Sequence, residues 1–267
     1  MKVREITVPL AVKAQPKTWT PMLVEKALRY SLAASLAYLP SERLAAGRSD
    51  YAQRLSPHLK FAEQVTIDEL AASCTIFEGS EGGAHAGETL VAFRGSTRFR
   101  NYQSMFNLGL VQSRLAPGSG RVHNGYQEAS EQLYERLAPV LDRREPARTV
   151  FVGHSYGGGT ATMCALLHSS PVNELVTFAG PRVGDAAFAN SFDAVHGATT
   201  THLVHDLDPV LAQNQPLWNA LGFVHTGRIL RCSATEPRLL DDNDERTGLP
   251  LNFADHAKYL GTFIGPR

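Results

Sequence analysis

Three apolar, mostly β-branched positions, Val150-Phe151-Val152, run straight into Gly153-His154-Ser155-Tyr156-Gly157. Small residues follow through Thr160, Ala161, Cys164 and Ala165. An unbroken apolar run ending in glycines and small residues predicts a buried strand, a tight turn and a helix. Leu90-Val91-Ala92-Phe93 and Leu175-Val176-Thr177-Phe178 are further apolar runs of this kind, and Thr201–His205 predicts another strand. Thr75–Glu78 and Thr89–Phe93, joined by the glycine-rich stretch Gly79–Gly87, predict a hairpin. Near the start, Ile6, Val8, Leu10 and Val12 alternate with other residues as in a strand.

Helical spacing appears between these runs. Leu23, Ala27, Tyr30, Ala34 and Ala37 fall near one face of a helix over Met22–Tyr38, which Pro40 ends. Leu133, Leu137 and Leu141 recur every fourth position in a helix over Gln127–Leu141, and Phe188 and Phe192 mark a third helix. A last helix beginning near Asn252 carries Asp255, His256 and Tyr259. Arg43–Leu59, with Gly47 and Pro57, is expected to be loop with a short helix, and Glu236–Thr247 an acidic loop. Phe223–Leu230 is expected to pair with, or lie against, Ile229–Ser233. Strands alternating with helices predict an α/β fold, a mostly parallel central sheet with helices on both faces. No repeat or linker divides the chain, so 1–267 is expected to be a single domain with 1–70 as an N-terminal extension of helix and strand.

Composition narrows the partners. The 267 residues hold 26 Lys plus Arg and 26 Asp plus Glu, a net charge of zero, so no global field recommends nucleic acid or an anionic membrane. Cys74, Cys164 and Cys232 are odd in number, far apart and set among apolar residues. They read as buried free thiols without metal-ligand spacing. With no secretory leader read at the start, this predicts a cytoplasmic location. His202 and His205 point to opposite sides of one strand and do not make a metal pair. No cofactor is called for.

The chemistry centres on Gly153-His154-Ser155-Tyr156-Gly157. A Gly-x-Ser-x-Gly between strand and helix is a nucleophile elbow, a strained turn that lifts a serine hydroxyl above the sheet edge. A serine needs a base, and the base an orienting acid, in the chain order Ser, Asp, His on such a sheet. Asp208, just past the strand Thr201–His205, and His256, near the C-terminus, stand in that order. Asp206 competes for the acid, with Pro209 fixing the turn behind Asp208 in the latter's favour, and His225 competes for the base from within an apolar run. The oxyanion of a tetrahedral intermediate needs donors. The backbone N–H of Tyr156 is one, and Ser96, in the loop after Leu90–Phe93, offers another unless it only caps the next helix.

The motifs Val91-Ala92-Phe93-Arg94-Gly95-Ser96, Val122-His123-Asn124-Gly125-Tyr126, Gly153-His154-Ser155-Tyr156-Gly157-Gly158, Phe178–Asp185, Asp208-Pro209-Val210 and Asp255-His256 occur in one order. Together they resemble the class 3 lipases, fungal-type triacylglycerol lipases of the α/β-hydrolase fold. The resemblance implies a triad of Ser155, Asp208 and His256, an oxyanion hole from Ser96 and the Tyr156 N–H, and a short helical lid over 97–109. Phe99, Tyr102, Met105 and Phe106 would give that lid an apolar patch. Tyr156 stands where the family usually has Leu, Leu211 where Pro is common, and Ala179-Gly180 is in reversed order. The expected function is a serine carboxylester hydrolase acting on acyl lipids, with transient contact to a lipid interface. The alternatives are a phospholipase or acyltransferase using the same triad, or a non-catalytic binding module on a hydrolase scaffold.

Overall fold

The computed structural model describes residues 21–47, 50–55, 57–70, 72–83, 85–96, 109–115, 118–144, 147–205, 208, 219–232 and 237–238. The N-terminal strand expected around Ile6–Val12 and the last helix carrying His256 lie outside the described residues.

Helix α1 (Pro21–Leu36) buries Ala27, Tyr30, Ala33, Ala34 and Leu36. Two short helices follow where a loop with one short helix was expected: α2 (Ser41–Ala46) and α3 (Asp50–Leu55). Gly47, at φ 60°, closes α2 in the left-handed conformation that a side chain disfavours. Then come β1 (Leu59–Ile67), β2 (Ala72–Gly79), β3 (Glu88–Phe93), β4 (Leu110–Gln112) and β5 (Arg121–His123). Helix α4 (Asn124–Asp142) leads to β6 (Arg148–His154), α5 (Tyr156–Leu167), β7 (Glu174–Phe178), β8 (Gly184–Asp185) and α6 (Ala186–His196). Strands β9 (Thr200–His205), β10 (Phe223–Val224), β11 (Arg228–Cys232) and β12 (Pro237–Arg238) complete the order.

Among the described residues, eight strands form the central sheet in the order β1-β2-β3-β6-β7-β9-β11-β12. The middle, from β3 through β6, β7 and β9 to β11, is parallel, and the two margins are antiparallel. The mostly parallel sheet is thus as expected, and its alternation divides the core in two. Leu90, Ala92, Val150, Val152, Val176 and Phe178 join one apolar cluster with α1, α2 and α3. Val91, Phe93, Phe151 and Leu175 join the other with α4, α5 and α6. A sheet covered on both faces needs apolar residues at consecutive positions, which is why the inner strands read as unbroken runs.

One strand has no counterpart in the sequence pattern, and one expected pairing differs. Strand β1 has no clean apolar alternation, because it is an edge strand with a register shift between Phe61 and Glu63. The described part of the segment expected to pair with itself, Phe223–Cys232, does not fold back on itself. Its first part, β10, joins a small second sheet in the order β10-β8-β5-β4, while β11 pairs parallel to β9 in the central sheet. Among the described residues no helix is long and apolar enough to cross a membrane.

Candidate active site

Ser155 sits between β6 and α5 at φ 55° and ψ −126°, a conformation that side-chain-bearing residues rarely hold. The turn is possible because its flanks lack side chains. A Cβ on Gly153 would strike the Gly157 carbonyl, and one on Gly157 would strike the Phe93 carbonyl at the end of β3. Two backbone bonds fix the serine further: Ser155 N–H donates to Phe178 O at 2.9 Å, and Gly158 N–H donates to Ser155 O at 2.8 Å. Ser155 stands at the N-terminus of α5, whose first backbone N–H groups and dipole favour negative charge. It is only 5% exposed.

Tyr156, the first residue of α5, turns its ring away into the second apolar cluster, where it stacks on Tyr126 at 5.0 Å. Burial raises its phenol pKa, so the ring is neutral packing, and only its backbone amide stays beside Ser155. Ser96 lies three residues past β3, the strand directly beside β6, and is half-exposed. Asp208 is fully buried at 0% exposure, three residues past the end of β9. Ser155, Ser96 and Asp208 therefore all follow the carboxyl ends of parallel strands of the central sheet: β6, its neighbour β3, and β9 two strands away. His256, Asp206, and the patch residues Phe99, Tyr102, Met105 and Phe106 lie outside the described residues; of the segment 97–109 only Gly109 is described.

Other singled-out residues have structural partners. His202 is wholly buried between Thr177 Oγ1, 2.7 Å from Nδ1, and Thr226 Oγ1, 3.0 Å from Nε2. Burial lowers its pKa to about 4, so it is a neutral core histidine. His225 is half-buried with its ring 5.5 Å from that of His202. His85, in the β2–β3 tip, is buried against Glu88 at 2.8 Å. Among the described residues no group of three His, Cys, Asp or Glu could hold a metal ion.

Two of the family-like motifs prove to be one scaffold. His123 N–H donates to Val183 O at 2.9 Å, Val122 pairs with Gly184, and Asp185 holds Arg121 at 3.2 Å while accepting from Phe188 N at 3.0 Å. Burial of Asp185 would raise its pKa, but these bonds and the Arg121 charge prevail and hold it below the ordinary value. At the end of β7, Ala179 takes φ 54°, a conformation that costs an alanine roughly 1–2 kcal/mol over right-handed backbone. The reversed Ala179-Gly180 order thus places a methyl at a left-handed position.

Residues 90–214 match the model of the lipase (class 3) family. A lipase of Rhizomucor miehei is 37% identical over 197 residues, covering 66% of this chain and 52% of that protein. Over these residues the chain matches the class 3 lipase family. A second relative, the secreted mono- and diacylglycerol lipase 1 of Fusarium solani, is 35% identical over 129 residues. That match covers 46% of this chain and 38% of the relative, so the chain spans about half or less of the length of these curated relatives. The crystal structure of a lipase from Rhizopus microsporus var. chinensis superposes with a TM-score of 0.73 at 22% identity. It covers 98% of this chain and 96% of the other, and shows the α/β-hydrolase fold.

The relatives overturn the expected cytoplasmic location, since the Fusarium protein is named as secreted and points to the extracellular side. The cysteine argument fails for a physical reason. Cys74 and Cys164 lie wholly buried in the core, and burial pushes both thiols up. Free thiols in such places report packing and say nothing of the redox compartment.

Proposed function

We propose that this class 3 lipase chain hydrolyses carboxylic esters of acyl lipids through Ser155. The observation that carries the reading is the backbone of Ser155, held at positive φ on a buried strand–helix turn at a helix N-terminus. Strain of this kind persists only where the surroundings impose it, and it aims the hydroxyl outward from the sheet. In the proposed reaction His256 takes the Ser155 proton as Oγ bonds to the ester carbonyl carbon. Asp208 steadies the resulting imidazolium. The Tyr156 N–H and Ser96 donate to the oxyanion. Collapse of the intermediate breaks the acyl–oxygen bond, and His256 returns the proton to the departing alcohol. Water then repeats the sequence on the acyl-enzyme and frees the acid. The segment 97–109, with Phe99, Tyr102, Met105 and Phe106, is proposed as a lid that meets the acyl chain or a lipid interface.

The sequence of the relatives supports the substrate class, since both carry lipase names. The test is labelling with a fluorophosphonate, followed by turnover on esters of graded acyl length, a triglyceride and a phospholipid. The expected result is one covalent adduct on Ser155 and hydrolysis of acyl esters. A phospholipid preferred over every neutral ester would make it a phospholipase, and transfer to added alcohol faster than to water an acyltransferase. Folded protein that takes no adduct would be a binding module, and the proposal would fall.

A further inference from the structure

Tyr38 lies two residues beyond α1, on the N-terminal side of the molecule, yet its hydroxyl reaches the elbow. Tyr38 Oη and His154 Nδ1 are hydrogen-bonded at 2.7 Å, and the phenol ring meets the imidazole edge-on with centroids 5.9 Å apart. His154 is the residue immediately before Ser155 and is buried at 5% exposure. The same hydroxyl also lies against Gly95, immediately before Ser96, because a Cβ on Gly95 would strike Tyr38 Oη. That Cβ would also come within 2.8 Å of His154 O and 3.2 Å of Ser155 Cβ. One phenolic oxygen therefore touches both the β6–α5 turn and the loop after β3.

These two segments carry the proposed nucleophile and the proposed oxyanion donor. The barrier for acyl transfer depends steeply on the distance between them, because a donor aimed even slightly off the developing oxyanion loses most of its effect. Phenylalanine would fill the ring's place equally well if Tyr38 only packed α1 on the sheet. The hydroxyl adds a bond to a buried imidazole, and a directional polar contact of this kind, part-buried here, specifies one arrangement where apolar packing tolerates several. We infer that Tyr38 is a positioning residue whose hydroxyl, through His154 and its contact with Gly95, sets the spacing between the Ser155 turn and the Ser96 loop. This inference rests on the ester-hydrolase reading.

The test is a double-mutant cycle of Tyr38→Phe and His154→Leu on a short soluble ester, with active sites counted by fluorophosphonate titration. Loss of one hydrogen bond that orients the transition state should lower kcat per titrated site about tenfold in Tyr38→Phe, with KM within about twofold. The double variant should be no worse than the poorer single variant, since both remove the same bond. A Tyr38→Phe protein with kcat per site within about twofold of the wild type overturns the inference. So does a double variant whose losses multiply. If His154→Leu does not fold, the Tyr38→Phe result decides alone. A fall in the number of titratable sites with normal kcat per site would mark Tyr38 as a packing residue and overturn the inference too. Wild-type protein that takes no label on Ser155 would sink the hydrolase reading and this role together, whereas a labelled, active wild type with an unchanged Tyr38→Phe sinks only the role.

Discussion

The N–H of Ser155 donates to the carbonyl of Phe178 at 2.9 Å, so the turn after β6 hangs from the last residue of β7. His154 and Phe178 are register partners in these parallel strands. The bond extends the ladder one step past the strand and holds Ser155 at φ 55° when its own preference is for negative φ. Elbow strain is thus carried by the central sheet, the most deeply buried part of the fold, and not by the loop itself.

That placement separates activity from stability at Ser155. Ser155→Ala should lower turnover by roughly four to six orders of magnitude and leave Tm nearly unchanged, since alanine bears the same backbone strain. Ser155→Gly should be equally inactive but more stable by about 1 kcal/mol, because glycine holds positive φ freely. Thermal melts of the three proteins check this; equal Tm values for Ser155→Gly and Ser155→Ala would show the turn to be unstrained.

Under the proposed triad, Asp208→Asn should lower kcat about ten-thousandfold while the buried side chain keeps its shape. The amide cannot stabilise an imidazolium or hold its tautomer. Steady-state kinetics on a soluble ester, with circular dichroism to verify folding, is the measurement. A loss under about tenfold would move the acid elsewhere, with Asp206 the next residue to test.

His202 makes stability depend on pH. Burial depresses its folded pKa from the ordinary 6.5 to about 4. Between those values the unfolded chain binds a proton that the folded chain refuses, so stability is full above about pH 6.5 and falls as pH drops toward 4. The loss from this residue is on the order of 3 kcal/mol. Burial also lowers the pKa of His168 and His196, which adds to the slope in the same direction. Urea midpoints of wild type and His202→Gln at pH 7 and pH 4.5 isolate the His202 share: the variant should lose distinctly less stability on acidification. Parallel losses would mean that His202 accepts its proton in the folded state.

Asp185 belongs to the family-like motif but serves the scaffold. It caps α6 through Phe188 N and holds Arg121 on the small sheet. Asp185→Ala should destabilise by about 1–2 kcal/mol, the range for a lost N-cap, with fluorophosphonate labelling of Ser155 intact below the lowered Tm. A labelling rate that collapses at a temperature where the variant is folded would place Asp185 in the chemistry instead.

By itself the sequence determined whatever depends on near neighbours. The runs Leu90–Phe93, Val150–Val152 and Leu175–Phe178 announced buried strands because a strand covered on both faces must be apolar at every position. Half of the Gly153–Gly157 turn has the same local reason, as Gly153 is demanded by the Gly157 carbonyl one turn away, whereas Gly157 is demanded by Phe93 at the end of β3. Only the tertiary structure decided what depends on distant partners. Strand β1 shows no period because it is an edge strand whose register shifts between Phe61 and Glu63, and β4, β5, β8 and β10 are two or three residues long, too short to carry any. Their existence follows from segments such as Val122 and Gly184 meeting across the fold. The Tyr38–His154 bond joins positions 116 residues apart. A tyrosine near the end of an amphipathic helix has the spacing of ordinary core, and only the docking of α1 against β6 brings its hydroxyl to the residue before the serine.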